Sequence, residues 1–381
     1  MIRISKKNKC CGCSACASIC PKASISMKRD EEGFLYPYVD MNTCIDCHLC
    51  EKVCPFLNVV KKKKTQSKVF ASISKNEIVR LSSSSGGVFS ELAKVVINKG
   101  GCVYGASFTD DWNISHIRIE KESDICLLRK SKYVQSFIGN TYKDAKEQLR
   151  KDRIVLFSGT SCQIAGLRHF LRNNYDNLIT IEILCHGTPS PMVWNFYLNK
   201  YLKSYNYRIS DISSVSFRDK VQGMTEYKFS VCMKDGEIIS HFFYEDSYMK
   251  GFLSNLTLRP SCYSCKAKDC SSGSDIVLGD LWNNYQQKPY NDSLGTNIVV
   301  VNTEKGLKLL GSCNLMIADI GYQGIDYYNN SGFQQKQFVN PYRKKFFREL
   351  NKENVIELLN KYSGIPLGWR MVRRIKRILK L

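Results

Sequence analysis

Long apolar runs are missing from this sequence of 381 residues, and proline is scarce, with only 9. No stretch approaches the roughly 18 uninterrupted apolar residues of a transmembrane helix, so none is predicted. The segment Met1–Lys7 lacks the apolar core of a signal peptide, and a cytoplasmic location is therefore expected. Apolar residues make up 43% and charged residues 24% of the chain, which is typical of a folded protein and excludes wholesale disorder.

Acidic residues are also few. The chain has 35 Asp and Glu against 56 Lys and Arg, which gives a formal net charge of +21. This basic excess predicts acidic partners, such as a ferredoxin, a polyanionic cofactor, a membrane surface or nucleic acid. At roughly 100–200 residues per domain, the length predicts two or three domains.

Cysteine, by contrast, is abundant, with 18 residues, and in a reducing compartment this favours metal ligation over disulfides. The pattern C-x2-C-x2-C-x3-C-P occurs twice. It is typical of two-cluster bacterial ferredoxins, in which the fourth cysteine of each run binds the other 4Fe-4S cluster. The first cluster is thus predicted to take Cys10, Cys13, Cys16 and Cys54, and the second Cys20, Cys44, Cys47 and Cys50. Zinc sites rarely repeat this spacing. Cys11 is predicted to be a non-ligand and His48 a surface residue.

A second group of cysteines lies further along the chain. Cys162 and Cys185 each follow a predicted strand, and two parallel strands joined by one helix bring such ends side by side. Cys262 and Cys265 form a C-x2-C pair, followed by Cys270. These residues predict a four-thiolate site and a third cluster. The alternatives are a nucleophilic Cys162 and buried, inert thiols. The remaining Cys102, Cys126, Cys232 and Cys313 are predicted to lie in the core.

A turn of small residues, Ser82–Gly87, leads into a predicted helix over Val88–Asn98. Backbone amides at such a helix N-terminus bind phosphate or pyrophosphate, and the alternative is a plain serine N-cap. The sequence contains no G-x-G-x-x-G fingerprint and no Walker A loop, so Rossmann and P-loop nucleotide sites are not predicted.

Strands and helices alternate in the middle of the chain, which predicts a sheet that is at least partly parallel. The strands are predicted over Cys102–Phe108, Ile154–Ser158 and Leu178–Leu184, and the helices over Val88–Asn98, Gln163–Leu171 and Met192–Leu202. The stretch Ser213–Phe243 alternates as antiparallel strands do, with a turn at Asp235-Gly236. The predicted fold is an α+β ferredoxin-like two-cluster domain (1–60), a linker (61–67), an α/β domain with a mixed sheet (68–150 and 151–320) and a basic helical C-terminal tail (321–381).

In their order along the chain, several stretches resemble the coenzyme F420 hydrogenase/dehydrogenase beta subunit family, in its form with a fused two-cluster ferredoxin. They lie at Ser84–Phe89, Ser131–Ser136, Phe157–Leu167, Cys185–Pro191, Arg259–Cys265 and Ser274–Trp282. The resemblance implies an oxidoreductase that holds FAD and a 4Fe-4S cluster in its α/β part and exchanges hydride with a partner molecule.

Carried over residue by residue, the resemblance places the flavin around Ser85, Gly86, Gly87, Ser131, Lys132 and Tyr133. It assigns the third cluster to Cys162, Cys185, Cys262 and Cys265, and leaves out Cys270, which is not a usual family position. Ser161 stands where the family usually has proline. No catalytic residue is assigned. Lys132 and Arg168 are candidates for holding anionic groups, and His186 for a proton relay or a structural hydrogen bond.

The family name does not identify the substrate. Relatives of the fused type occur in bacteria with polysaccharide-building enzymes, so coenzyme F420 and another anionic small-molecule or glycan-linked substrate are both candidates. Electrons are expected to pass to or from a ferredoxin or other redox protein near residues 1–60. The alternative function is a non-catalytic electron-transfer subunit that links ferredoxin to a partner enzyme.

The C-terminal segment 369–381 combines six Lys or Arg residues with an apolar helical face. This pattern predicts an interfacial helix at the inner face of the membrane, or else a terminal helix docked on the domain. Nucleic-acid binding is not favoured, because no recognised motif accompanies the charge.

Overall fold

The structure is a computed structural model that describes residues 1–59, 67–268, 271–282, 289–321 and 337–364. The predictions made for Cys270, for most of the linker and for segment 369–381 lie outside these residues.

The elements that the structure describes follow the alternation expected from the sequence. The strands are β1 (Ile25–Arg29), β2 (Leu35–Val39), β3 (Lys68–Ser74), β4 (Cys102–Phe108), β5 (Ile114–Ile119), β6 (Val155–Thr160), β7 (Leu178–Ile183), β8 (Ile212–Asp219), β9 (Lys228–Met233), β10 (Ile238–Phe242), β11 (Ile276–Asp280), β12 (Asn297–Val301) and β13 (Leu315–Asp319). The α-helices are α1 (Ala15–Ile19), α2 (Leu49–Lys52), α3 (Glu77–Leu81), α4 (Val88–Asn98), α5 (Ile125–Leu128), α6 (Thr141–Arg150), α7 (Ser161–Leu171), α8 (Pro191–Lys203), α9 (Ser247–Leu253), α10 (Glu304–Gly311), α11 (Arg343–Glu349) and α12 (Val355–Tyr362).

The N-terminal unit, residues 1–59, is an internal repeat in backbone as well as in sequence. Helix α1 carries Cys16 and helix α2 carries Cys50, the third cysteines of the two motifs. The residues that precede these helices, Ser14 and His48, both have left-handed backbones, with φ of 62° and 57°. Strands β1 and β2 form an antiparallel hairpin between the two repeats.

An eight-stranded mixed sheet, in the order β13-β3-β12-β11-β7-β6-β4-β5, forms the centre of the α/β part. Strands β4, β6, β7 and β11 are parallel to their neighbours in that group, whereas the outer strands pair antiparallel. The predicted mixed sheet is thus confirmed. Because β3 pairs with β12 and β13, the segments 68–150 and 151–320 contribute to one sheet. Within β6 and β7, Thr160 lies opposite Ile183, so these two strands end side by side.

A smaller antiparallel sheet, β10-β9-β8, lies apart from the large one. Its turn contains Gly236 in a left-handed conformation, φ 95°, at the Asp235-Gly236 position predicted for the hairpin. Aromatic side chains of this sheet and of helix α8 pack together, with Phe217 and Trp194 both fully buried.

The segment beyond residue 321 differs from its prediction. Helices α11 and α12 are present, as the sequence indicated, but Phe346 and Leu359 are fully buried in the same core as Trp194. Residues 343–362 are therefore part of the α/β core rather than a tail, because helix α12 packs against helices α8 and α9, and helix α11 packs against α12.

The four cysteines predicted to lie in the core differ in their exposure to solvent. Cys102 is buried in β4, and Cys232 and Cys313 are half-buried, but Cys126 is exposed on the short helix α5, so its assignment to the core is wrong. None of the helices in the described ranges is long and apolar enough to span a membrane.

Candidate iron–sulfur and cofactor sites

The cavity that we call the first cluster cavity lies beside the start of helix α1 and the segment that follows helix α2. It is lined by the thiols of Cys10, Cys13, Cys16 and Cys54, the four residues predicted for the first cluster. Cys13 and Cys16 are buried and the other two are half-buried. Contact between the two helices brings the last cysteine of the second motif to the first three of the first motif.

The second cluster cavity lies closer to the protein surface. It is lined by Cys20, Cys44, Cys47 and Cys50, the four residues predicted for the second cluster. Cys47 is exposed, and the side chain of Ile45 beside it is 57% exposed. His48 is also exposed, and its Nδ1 lies 2.7 Å from Oε2 of Glu51, which agrees with its prediction as a surface residue.

The donor sets of both cavities fit 4Fe-4S clusters. Burial raises the pKa of Cys16 and of Cys54, so thiolates there need a positively charged partner such as iron. The backbone amide of Ile2 donates a hydrogen bond to Cys50 Sγ at 3.2 Å, and that of Gly12 donates to Cys10 Sγ at 3.4 Å. Amide hydrogen bonds to sulfur tune such clusters. Each cavity therefore supplies four sulfur ligands and an amide donor to one of them.

A third thiol cavity lies at the carboxyl ends of β6 and β7. It is lined by Cys162, Cys185, Cys262 and Cys265. Cys162 lies in the first turn of α7 and Cys185 follows β7, as their positions in the sequence predicted. Burial raises the pKa of Cys185, Cys262 and Cys265, the last to about 12. The amide of Thr188 donates to Cys262 Sγ at 3.4 Å. Four half-buried cysteines with an amide donor to one of them fit a third 4Fe-4S cluster.

The first cluster cavity and the third thiol cavity share a wall. Cys11 and Phe56 line both of them, and both residues are buried. The Cys11 thiol interacts with the thiols of Cys13 and Cys162, and this contact raises the pKa of Cys162. Helix α7 comes close because Gly166 has no side chain: a Cβ there would lie 2.9 Å from Cys13 Sγ. The spacing of the cysteines in the sequence did not predict that Cys11 lies in the wall between these two cavities.

Arg259 joins the N-terminal unit to the α/β part. It is 1% exposed. Its Nε donates to the carbonyl of Cys10 and its Nη2 to the carbonyl of Leu35, both at 2.8 Å. Nη1 donates to Oε1 of Gln135 at 3.0 Å, and the guanidinium lies 4.2 Å from the ring centre of Tyr36. A single side chain from the Arg259–Cys265 stretch thus holds the first cluster cavity beside the third thiol cavity.

The two segments predicted to bind flavin lie together. The amide of Ser131 donates to Ser84 Oγ at 2.8 Å. Within the turn, however, Ser85 Oγ donates inward to the carbonyl of Thr296, and a Cβ on Gly86 would lie 2.5 Å from the carbonyl oxygen of Ser72. Close packing on the sheet therefore accounts for Gly86, and Gly87 caps α4 with a left-handed backbone, φ 86°.

Three buried or half-buried cations lie near these segments. Burial, together with Lys130, lowers the pKa of Lys132 to about 7, and its Nζ donates to the carbonyl of Arg129 at 2.7 Å. Burial and the charges of Arg80 and Arg218 lower the pKa of Lys220 to about 8. Lys220 Nζ donates to the carbonyl of Ser85 at 2.8 Å. Arg218 and Lys220 follow no nucleotide-binding motif, so the sequence did not indicate them.

Two other predicted residues have structural partners. His186 lines the third thiol cavity, but its Nε2 lies 2.6 Å from Oδ1 of Asn255, and burial lowers its pKa to about 4. This favours the structural alternative over a proton relay at neutral pH. Arg168 lies 3.8 Å from buried Asp275, which precedes β11, at the opposite end of the sheet from Cys162. The prediction that Arg168 holds an anionic ligand at the site is therefore wrong.

Comparison with known families agrees with this geometry. Residues 9–58 match the family described as 4Fe-4S dicluster domain, so the N-terminal unit is an iron–sulfur, ferredoxin-type electron carrier and the protein is of the oxidoreductase class. Residues 152–317 match the family described as the C terminus of the coenzyme F420 hydrogenase/dehydrogenase beta subunit. This region, which holds the third thiol cavity, is thus similar to the coenzyme F420 hydrogenase/dehydrogenase beta subunit family, and the resemblance predicted from the sequence motifs is confirmed.

Solved structures include a similar chain in the F420-reducing [NiFe] hydrogenase complex from Methanosarcina barkeri. It is 15% identical, the match covers 78% of this chain and 91% of that one, and the TM-score is 0.46. No curated protein sequence matches this chain.

Proposed function

We propose that this protein is an iron–sulfur flavoprotein oxidoreductase. In this proposal, electrons pass between an external redox protein and a flavin through three 4Fe-4S clusters, and the flavin exchanges hydride with coenzyme F420 or with another small or glycan-linked anionic substrate. The observation that carries the proposal is the wall of Cys11 and Phe56 shared by the first cluster cavity and the third thiol cavity.

The three cavities differ in how deeply their cysteines are buried, and this gives an order from the protein surface inward. The second cluster cavity contains the exposed Cys47, whereas Cys13 of the first cluster cavity is buried. An external ferredoxin or similar carrier therefore exchanges electrons at the second cluster. From there the path leads to the first cluster and across the shared wall to the third, which lies at the edge where α/β sheets bind ligands.

Charge supports a bound anionic cofactor beside the third cluster. Lys132 and Lys220 donate to backbone carbonyls, and Lys220 also interacts with Asp280 and Asp292. Neither the Ser131–Tyr133 segment nor the Ser82–Gly87 turn contains a carboxylate residue. A pyrophosphate-containing flavin such as FAD would compensate this charge. Bound flavin supplies the step between two-electron hydride chemistry and single-electron transfer.

The first test is the cofactor content of the whole protein purified without oxygen. We expect about twelve irons, as many sulfides and one extractable flavin per chain. About eight irons without flavin would overturn the proposal for the α/β part and leave the electron-transfer subunit as the function. If flavin is present, comparing the rate of coenzyme F420 reduction with the rate of reduction of anionic glycan precursors would identify the substrate class.

Replacing Cys11 tests the shared wall. We expect Cys11→Ala to keep about twelve irons, because Cys11 is not a ligand, and to lower the midpoint potential of the first or third cluster, because hydrogen bonds to cluster sulfurs affect that potential. Cys11→Ser, which keeps a donor, should shift the potential less. Potentiometry followed by electron paramagnetic resonance measures both variants. A loss of four irons in Cys11→Ala would instead show that Cys11 is a ligand.

A further inference from the structure

One buried cation near the predicted flavin segments has unused hydrogen-bonding capacity. Arg218, on strand β8, is 4% exposed. Its Nη1 donates to Oδ2 of Asp280 at 2.5 Å. Its Nη2 is buried and makes no hydrogen bond to any residue that the structure describes. An unpaired donor on a buried charged group is unfavourable, so Nη2 is available to a partner that the described residues do not supply.

The surroundings of Arg218 are planar and aromatic. The centre of its guanidinium lies 5.2 Å from the ring centre of Tyr227 and 5.4 Å from that of Trp282. Tyr133, from the segment predicted to contact the flavin, also interacts with Arg218. Tyr133 in turn stacks on Phe252 at 4.5 Å between ring centres. Aromatic side chains of this kind favour contact with a planar ring system over contact with a tetrahedral phosphate.

The charge of Arg218 is permanent. Burial lowers the pKa of the guanidinium, but Asp280 and the neighbouring tyrosines raise it by more, so the group stays protonated. Lys220, close to Arg218, also holds the carbonyl of Ser85. Strand β8 and the residues after it thus connect the aromatic side chains around Arg218 to the Ser82–Gly87 turn.

We propose that Nη2 of Arg218 donates a hydrogen bond to the pyrimidine edge of the flavin ring, and that Arg218 stabilises the negative charge of the reduced ring. The inference rests on the proposed function, since it requires a flavin at this site. A hydride transferred to the neutral oxidised ring adds two electrons and one proton and leaves one negative charge on the ring. A fixed positive charge at that edge favours the reduced form and raises the flavin's midpoint potential.

The test compares two variants whose expected shifts have opposite signs. In R218Q the positive charge is lost, and we expect the ratio of reduced to oxidised flavin at a fixed ambient potential to fall at least tenfold, about 30 mV for a two-electron couple. In D280N the guanidinium loses its compensating carboxylate, and we expect the ratio to rise. R218K, which keeps the charge but not the planar fork, should lie between R218Q and the wild type. The exposed Arg150→Gln serves as the matched control.

Dye-coupled titration of the holoprotein measures these potentials, and the iron content of each variant shows whether it has folded. Shifts of the same sign in R218Q and D280N would reveal only a disturbed structure and would overturn the inference. If the wild type contains flavin but the potentials of R218Q and D280N equal that of the wild type, the inference is also overturned. The proposed function would still stand in that case. A wild type that binds no flavin would overturn the inference and the flavoprotein proposal together.

Discussion

Cys185→Ala is expected to reduce the iron content from about twelve to about eight atoms per chain. Cys185 is half-buried and lines the third thiol cavity with Cys162, Cys262 and Cys265. Since each thiolate binds one iron of a 4Fe-4S cluster, alanine removes a ligand, and none of the eight cysteines assigned to the other two clusters lines this cavity. The two clusters of the N-terminal unit should keep their spectra, while electrons no longer pass between them and the flavin.

Iron analysis, electron paramagnetic resonance and the rate of cluster reduction by reduced flavin measure this result. Cys232→Ser, a half-buried cysteine on strand β9 away from the three cavities, is the matched control and should keep all of its iron. Twelve irons and normal electron transfer in Cys185→Ala would show that Cys185 is not a ligand of the third cluster.

Arg259→Ala is expected to destabilise the protein by about 3–5 kcal/mol, at the upper end of single substitutions. The change leaves the carbonyls of Cys10 and Leu35 without their charged donor. Each buried acceptor left unpaired costs about 1–3 kcal/mol. The stacking on Tyr36 is lost as well. Because these contacts join the N-terminal unit to the α/β part, electron transfer across the shared wall should slow more than hydride transfer does.

Denaturant unfolding under anaerobic conditions gives the free energy, and single-turnover kinetics give the two rates. Arg259→Lys should recover only part of the stability, since an ammonium group cannot reproduce the three directional bonds of the guanidinium. Arg150→Ala, at the exposed end of helix α6, should change stability by no more than about 0.5 kcal/mol. Equal stability and equal rates in Arg259→Ala and Arg150→Ala would refute this role of Arg259.

Much of the fold was predictable because it depends on local patterns. Helix α4 and strand β4 have the bounds that the sequence predicted, since their apolar periodicity is interrupted at Gly100 and Gly101. The hairpin at Gly236 was predictable from its turn residues. Helices α11 and α12 were predictable as helices, but not their burial. Their basic residues suggested a solvated tail, whereas the apolar faces that enter the core become visible only when their partners on α8 and α9 are known.

The sequence by itself determined that the N-terminal unit is a 4Fe-4S dicluster domain, and it predicted the ligands, because the spacing of those cysteines along a short chain decides which sulfurs can reach one cluster. It also indicated Cys162 and Cys185, since parallel strands joined by one helix end at the same edge. The tertiary structure alone decided the rest: Cys11 in the wall between two cavities, Arg259 between the two units and Arg218 beside the predicted flavin segments. These residues act on groups that are distant in sequence. Their roles depend on packing and burial, which no local spacing records.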